Sequence, residues 1–396
     1  MNVFDPAFLR AQVRKTMAFY HPRAIDPHGG FFHYLADDGT ILDRGHRHLV
    51  SSARYVVIYA RYARHGGGEE YRHWARHGLE FLECAHFRTA TQGYAWTLQD
   101  GAVEDDTQHC YGLAFVLLAH AEALRAGIPE AEGGLYATHA LMQQRFWEPR
   151  WRRFADEADR HWRLAEYRGQ NANMHACEAL LAAFAATGDA AFLDQARAIA
   201  RAITAAGRCH PEGWIWEHYD ARWRPDWDYN RHDPAHLFRP WGYQVGHQTE
   251  WAKLLVMLER HRPEPWLLPT AERLFLSSVR AGWDREHGGL VYGLDPAGRV
   301  CDGDKYYWVQ AESLAAAALL GLRTGRAVYR RWYERLWDFG WHRFIDHRHG
   351  GWYRILTPDN RRVSTVKSPA GKVDYHTMGA CHDVLEALSR RHVSTP

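Results

Sequence analysis

The chain has 396 residues, of which 46% are hydrophobic and 24% charged, and its 49 Lys and Arg nearly balance 47 Asp and Glu to a net charge of +2. This balance, without a block of consecutive basic residues, argues against a nucleic-acid partner, because neutralising phosphates requires a basic face. The longest apolar stretches fall well short of the roughly 20 residues that cross a bilayer, so we expect no membrane partner.

The N-terminal segment lacks the continuous apolar core and the small-residue cleavage site of a secretion signal. The cysteines are scattered and contain no Cys-x-x-Cys pair, which predicts reduced thiols rather than disulfides or a zinc site. We therefore expect a cytoplasmic protein. The cysteines are Cys84, Cys110, Cys177, Cys209, Cys301 and Cys381.

A short motif recurs along the chain. An Asp, followed within three residues by His-Gly-Gly and an apolar or aromatic run, begins at Asp26, Asp284 and Asp346, and looser copies lie at 92–97, 151–156 and 211–217. Each copy has short apolar segments bounded by Gly, Asp or Pro, which is typical of a small hairpin. The copies divide the chain into six units of about 60 residues, and such internal repetition indicates a repeat architecture.

Each unit also contains two helical patterns. The first precedes the motif, at 6–20, 69–86, 135–147, 191–206, 266–282 and 327–341, and the second follows it, at 47–65, 106–126, 173–187, 247–261, 310–324 and 377–390. Several of the second set are apolar around their whole circumference, which predicts buried helices. Six buried and six outer helices predict an all-α fold in one domain over residues 1–396, an (α/α)6 barrel with short β-hairpins at one end.

The fourth unit is longer than the others. Its extra residues, at 222–234, are rich in aromatic and charged side chains. Long ordered loops of this kind are commonly functional. We expect this loop to lie over the mouth of the ring.

Polar clusters occur near the start of each inner helix. In a ring these six starts converge at one end, which predicts a single pocket for a small polar ligand. The clusters contain Arg54; residues 108–111 with Tyr111; Asn171 and His175; His247 and Glu250; Trp308, Gln310 and Glu312; and residues 374–376 with His376, followed by His382.

Two of these clusters have the form His-x-x-Glu, at His175 with Glu178 and at His247 with Glu250. Residues three apart share a helix face, so each carboxylate can reach its own imidazole or a shared ligand. A carboxylate beside an imidazole fixes its tautomer and raises its basicity, as a general base requires. Equivalent positions in the repeat favour a functional role for His175, His247 and His376.

At these residues the chain resembles the N-acylglucosamine 2-epimerase superfamily of (α/α)6 barrels. Within it the chain is most similar to the aldose–ketose isomerase group of D-mannose and sulfoquinovose isomerases, ahead of the cellobiose and N-acylglucosamine 2-epimerases. The stretches that carry the resemblance span nearly the whole chain, in order. They are residues 48–54, 171–179, 246–251, 308–312 and 372–380.

The resemblance implies isomerisation of D-mannose, or a related aldose such as D-lyxose, to a ketose such as D-fructose through a cis-enediolate. The implied acid/base pair is His247 and His376, whose order of action stays open, with Arg54 stabilising the oxyanion and His175 acting on substrate hydroxyls or ring opening. Glu250 would orient His247 or bind a hydroxyl. The remaining implied sugar contacts are Tyr111, Asn171, Trp308, Gln310, Glu312 and His382.

The implied partner is a small monosaccharide, and the reaction needs no redox cofactor. The constellation contains no obvious metal-ligand set. A sulfonated sugar would need an added cationic subsite, for which Arg231, Arg239 and Lys305 are candidates near the mouth. Nothing in the outer helices marks an interface, so monomer and homo-oligomer both stay open.

Other activities remain open at this point. A 2-epimerase shares the enediolate and differs only in where the proton returns. An inverting glycosidase would need two carboxylates about 6.5–9.5 Å apart, which Glu178, Glu250 and Glu312 could supply. A non-enzymatic sugar-binding protein is the third class. Imidazole bases predict a rate that falls on the acid side, and a profile flat to about pH 4 would count against them.

Overall fold

The protein is seen in a computed structural model that describes residues 2–207 and 210–393. Cys209 lies outside these ranges, and the other five cysteines are free thiols. The helices are α1 Pro6–Tyr20, α2 Leu49–Tyr62, α3 Glu69–Phe81, α4 Cys110–Arg125, α5 Ala131–Arg145, α6 Gln170–Thr187, α7 Ala190–Ala206, α8 Val245–His261, α9 Leu267–Gly282, α10 Tyr307–Thr324, α11 Ala327–Phe339 and α12 Tyr375–Val393, with π-helical turns at Ala63–Gly67, Leu82–His86 and Gly340–Phe344.

The even-numbered helices form an inner ring. Each of them packs on the next, and α12 packs on α2 to close the circle. The odd-numbered helices lie outside, each mainly against one inner helix. Burial follows this division: every residue of α2 except Tyr62 is buried, whereas α11 buries a single face. The predicted alternation of buried and outer helices is therefore confirmed.

Short strands lie between the helices, at β1 Tyr34–Ala36, β2 Ile41–Asp43, β3 Arg47–His48, β4 Phe87–Arg88, β5 Gly93–Tyr94, β6 Thr97–Gln99, β7 Ala102–Asp105, β8 Gln108–His109, β9 Trp147–Glu148, β10 Arg153–Phe154, β11 Glu157–Ala158, β12 Arg168–Gly169, β13 His218–Tyr219, β14 Tyr243–Gln244, β15 Gly293–Leu294, β16 Val300–Asp302, β17 Lys305–Tyr306, β18 Ile355–Leu356 and β19 Val366–Ser368.

These strands join neighbouring units around the ring. A strand close before an inner helix pairs antiparallel with a strand of the following unit, as in β3 with β6, β8 with β11, β12 with β13, β14 with β15 and β17 with β18. The circle is completed by β19, which pairs with β1. The start of each inner helix is therefore anchored to the unit that follows it.

The three full copies of the repeated motif form the same turn. Both glycines of each His-Gly-Gly adopt positive φ, a conformation that glycine tolerates without a steric penalty. The Asp that opens each copy pairs with a basic residue 21 positions later: Asp26 with Arg47, Asp284 with Lys305 and Asp346 with Lys367. The motif therefore holds the hairpin to the strand of its own unit, and the pairing gives Lys305 a structural partner.

The glycines of α5 allow a paired test of packing. At Gly134 an added Cβ would overlap the buried ring of His120 on α4, whereas at Gly133 it would meet open space. We expect Gly134→Ala to lower the free energy of unfolding by about 1–3 kcal/mol through overpacking. The control, Gly133→Ala, should raise it by about 0.4–1 kcal/mol, because alanine restricts the unfolded chain. Urea unfolding measures both, and equal effects would contradict this packing.

The long loop of the fourth unit runs between β13 and β14, and its later part lies at the mouth of the ring. The residues that reach the inner-helix starts are Leu237, Phe238 and Pro240, just beyond the predicted 222–234. Among the described residues, none of the helices combines the length and apolar character that crossing a membrane requires.

Candidate active site

The first turns of the inner helices surround one cavity, as the convergence argument predicts. Four of these helices begin two or three residues before their predicted bounds, as α6 does at Gln170 and α10 at Tyr307, whereas α2 and α4 begin later than predicted. Eight of the predicted residues line the cavity: Arg54, Tyr111, Asn171, His175, His247, Glu250, Trp308 and His376.

His247 is oriented by a residue that the sequence did not single out. Its Nδ1 lies 2.9 Å from Oε2 of Glu217, the last residue of the motif copy at 211–217. Gln170 donates to the same carboxylate oxygen over 2.8 Å and is itself held by the indole of Trp251. The expectation that Glu250 orients His247 is therefore wrong, since Glu217 occupies the required position.

His376 has the same arrangement on the other side of the cavity. Its Nδ1 lies 2.7 Å from Oε1 of Glu312, and the second oxygen of that carboxylate lies 2.5 Å from Nζ of Lys253. Burial lowers the pKa of His376 well below its usual value, and the charges of Arg54, His175 and Lys253 act in the same direction. The ring is therefore neutral at physiological pH and able to accept a proton.

His175 is the third ring, and here the His-x-x-Glu pattern is confirmed. Its Nδ1 lies 3.1 Å from Oε2 of Glu178. Burial lowers the pKa of His175. Among the described residues, no hydrogen bond involves Nε2 of this ring, of His247 or of His376. Each ring therefore keeps one free nitrogen for a ligand.

Trp308 connects the two proposed acid/base rings. Its ring centroid lies 5.0 Å from that of His247 and 5.8 Å from that of His376. Both imidazoles are more than nine-tenths buried. A ligand that rests against this indole is therefore within reach of both rings.

Glu250 lies at the cavity wall without a partner. Both of its carboxylate oxygens are buried and make no hydrogen bond within the described chain, and Oε1 is 4.0 Å from Nδ1 of His175. Burial, and then the negative charge of Glu312, raises the pKa of Glu250 well above its usual value. The raised pKa favours the protonated carboxyl, which can donate a proton to a ligand oxygen.

Arg54 supplies a fixed positive charge. Its guanidinium donates to the backbone oxygen of Gly371 and, over 3.2 Å, to the hydroxyl of Tyr111, while it lies 4.3 Å from the ring centroid of Phe115. Its Nε is buried without a partner in the described structure. This rigid, partly unsatisfied cation is suited to an oxygen that gains negative charge.

Three predicted sugar contacts lie elsewhere. Gln310 exchanges hydrogen bonds with the backbone of Leu290. It follows Trp308 by two residues, which corresponds to a rotation of about 200° around the helix axis, so its side chain faces away from the cavity. Glu312 lies one turn deeper and contacts His376 instead. His382 lies about 9 Å along α12 from His376 and stacks on His65 at 4.4 Å. These side chains support or lie below the cavity rather than line it.

The cationic candidates are also placed differently. Arg231 and Arg239 pair with Asp228 and Glu157, and Lys305 with Asp284, outside the cavity. The cations that line it beside Arg54 are Arg354 and Lys372. Lys372 follows the last strand in a stretch that the resemblance covers, whereas no sequence pattern marks Arg354.

Two groups of side chains have the donor atoms that a metal ion needs. They are His175, Glu178 and Glu250, and Glu250, Glu312 and His376, with all ligand atoms of each group within 4.8 Å. In the second group the ammonium of Lys253 already neutralises Glu312. In each group one of the candidate carboxylates is already bound to the imidazole of the same group, Glu178 to His175 and Glu312 to His376. We therefore assign no metal to these residues.

Comparison with known proteins gives consistent results. Residues 30–380 match the family model for N-acylglucosamine 2-epimerase. The chain is 50% identical to a D-mannose isomerase from Marinomonas mediterranea over 96% of this chain and 97% of that one. A crystal structure of D-mannose isomerase superposes with a TM-score of 0.96 and 49% identity over 98% of this chain and 99% of that one.

A more distant structure supports the fold alone. The cellobiose 2-epimerase from Bacillus thermoamylovorans superposes with a TM-score of 0.85 over 96% of this chain and 99% of that one, at 18% identity. Together with the closed double ring of helices, this likeness confirms the predicted (α/α)6 architecture.

Proposed function

Because the chain belongs to the N-acylglucosamine 2-epimerase family, we propose that it is an aldose–ketose isomerase that interconverts D-mannose and D-fructose. The observation that carries this proposal is the pair of imidazoles, His247 and His376, that lie against one indole with Nδ1 of each ring held by a carboxylate. The free Nε2 of each ring can then exchange a proton with the sugar. The likeness to D-mannose isomerases supports this assignment.

The reaction assigns a step to each group. After the ring of the sugar opens, one Nε2 removes the proton from C2, and the electron pair moves to form the C1–C2 double bond of an enediolate. The other imidazole, in its protonated form, delivers a proton to C1 while the O2 proton is transferred to O1, which yields the ketose. Arg54 stabilises the charge that develops on oxygen. His175 and Glu250 transfer a proton during ring opening.

The carboxylates do not favour a glycosidase. Such an enzyme needs two carboxyl groups on opposite sides of the scissile bond. Among the described residues that line the cavity, Glu250 is the one acid. Glu178 and Glu312 are held by an imidazole, and Glu312 also by Lys253.

A product assay tests the proposal. The protein is incubated separately with D-mannose, D-lyxose, D-glucose, D-fructose and cellobiose, and the products are identified by NMR. We expect fructose from mannose and mannose from fructose. Glucose from mannose without fructose would identify a 2-epimerase and contradict the isomerase assignment.

The pH dependence follows from burial of the imidazoles. Because burial lowers the pKa of His376, its neutral form persists below pH 6.5, the usual midpoint for a histidine. With His376 as the base that removes the C2 proton, we expect log(kcat/KM) to fall on the acid side with a midpoint below 6.5. A midpoint at or above that value would contradict this environment for the base.

Stability must be followed in the same pH series. The unfolded chain has the higher histidine pKa and binds more protons, so the folded state also loses stability as the pH falls below about 6.5. Circular dichroism at each pH separates unfolding from titration of the active site.

The cytoplasm is our proposed location. The free thiols, of which Cys110, Cys177 and Cys381 are buried, are consistent with a reducing compartment. The proposed partner is a monosaccharide.

A further inference from the structure

Behind His376 lies a chain of buried charged groups that ends in a lysine. Lys253, on α8, lies six residues after His247 and is 3% exposed. Its ammonium is 2.5 Å from Oε2 of Glu312, whose other oxygen is 2.7 Å from Nδ1 of His376. Lys253 itself does not line the cavity. The ammonium therefore acts on the reacting groups from behind the cavity wall, and Glu312 links it directly to His376.

We propose that Lys253 is a positioning residue, whose ammonium holds the Glu312 carboxylate ionised and oriented so that His376 presents its free Nε2 to the sugar. This role rests on the proposed function for the identity of the substrate alone, because the arrangement of the three side chains does not depend on the substrate.

Four carboxyl groups from four helices surround this ammonium. Glu178 comes from α6, Glu250 from α8 itself, Glu312 from α10 and Asp383 from α12. Oδ2 of Asp383 lies 3.9 Å from Nζ of Lys253. Arg61 on α2, a second cation that acts on Glu178 and Asp383, is paired with Glu122 over 3.1 Å. The imidazoles of His175 and His376 complete the surroundings. Lys253 is thus the cation that this acidic cluster contacts most closely.

The electrostatics support the same role. Burial raises the pKa of Glu312, and the charge of Lys253 is the largest influence in the opposite direction. Without the ammonium the carboxyl would take up a proton more readily. A protonated Glu312 would be a weaker acceptor for Nδ1–H of His376 and would leave the tautomer of that ring less strictly defined.

A double-mutant cycle with Glu312 tests the inference. Lys253→Met removes the charge and keeps an unbranched chain, and we expect it to lower kcat on the order of 10- to 100-fold with little change in KM. Glu312→Gln should produce a loss of similar size. If Lys253 acts through Glu312, adding Lys253→Met to Glu312→Gln costs almost nothing further. Losses that multiply would overturn the inference.

Lys367→Met is the matched control. Lys367 is also fully buried and pairs with one aspartate, Asp346, over 2.6 Å, but it belongs to the structural Asp–Lys pairs of the repeat. We expect it to lower stability and to leave the His376 signal described below unchanged. If Lys253→Met does not fold, Lys253→Gln is used instead. We expect it to lower kcat by a smaller factor, and adding it to Glu312→Gln should again cause almost no further loss.

A spectroscopic measurement separates this inference from the proposed function. The Nδ1 proton of His376 should give a downfield NMR signal, assigned by its loss in His376→Asn. In Lys253→Met we expect this signal to move upfield or to broaden. An unmoved signal would overturn the inference even if mannose is isomerised. A shifted signal in a protein that does not isomerise mannose would contradict the proposed function alone.

Discussion

Replacing either His247 or His376 by asparagine is expected to lower kcat for mannose isomerisation by about 1,000-fold or more, because each ring supplies one of the two proton transfers. Asparagine can still contact Glu217 or Glu312 but has no nitrogen that titrates in the neutral range. Steady-state kinetics with mannose and fructose measures the loss. Near-wild-type rates in both variants would show that the proton-transfer pair is wrong.

Deuterium exchange in D2O would divide the two roles. The variant that lacks only the group acting at C1 should still exchange the C2 proton of mannose, whereas the variant that lacks the C2 base should not. His139→Asn is a suitable control. This histidine lies on outer helix α5, where it hydrogen-bonds Gln195, and its loss should leave the rate unchanged.

Arg54→Met is expected to lower kcat by about 100- to 1,000-fold, because it removes the buried cation aimed at the developing oxyanion. The effect on KM should be smaller, since the ground-state sugar carries no charge there. Arg54→Lys should recover only part of the rate, because an ammonium cannot reproduce the planar set of donors that binds Gly371 and Tyr111.

Tyr111→Phe is the matched control for this change. It removes one hydrogen bond to Arg54 and leaves the charge in place, so we expect a loss of at most about 10-fold. A hydroxamate that mimics the cis-enediolate gives a second measurement, because it should lose affinity in Arg54→Met in proportion to the lost rate. Unchanged affinity would contradict the oxyanion role of Arg54.

Repetition in the sequence made the fold predictable. The Asp and His-Gly-Gly motif marks units, and the apolar second helix of each unit must be buried, so the double ring follows from pattern alone. Four inner-helix starts were predicted two or three residues late, as at α6 and α10, because first-turn residues that face the cavity do not continue the apolar pattern, whereas the starts of α2 and α4 were predicted early, across strands β3 and β8. Local periodicity cannot separate such a turn from a loop.

The site was predictable where one helix carries it. His175 and Glu178 share a face of α6, and the sequence identifies their pairing. Glu217 supports His247 from a hairpin 30 residues earlier, and Lys253 supports Glu312 from a neighbouring helix. Those contacts depend on how the units pack together, and the spacing of residues within one helix carries no information about that packing.

The pairing of β1 with β19 has a consequence for how the chain folds. It joins Leu35 to Ser368, a contact of very high sequence separation, and forming it is entropically unfavourable until the intervening units are in place. We therefore expect this seam to form among the last contacts of the ring. Arg54 and His376 come from helices on its two sides, so partly folded intermediates would lack the catalytic constellation.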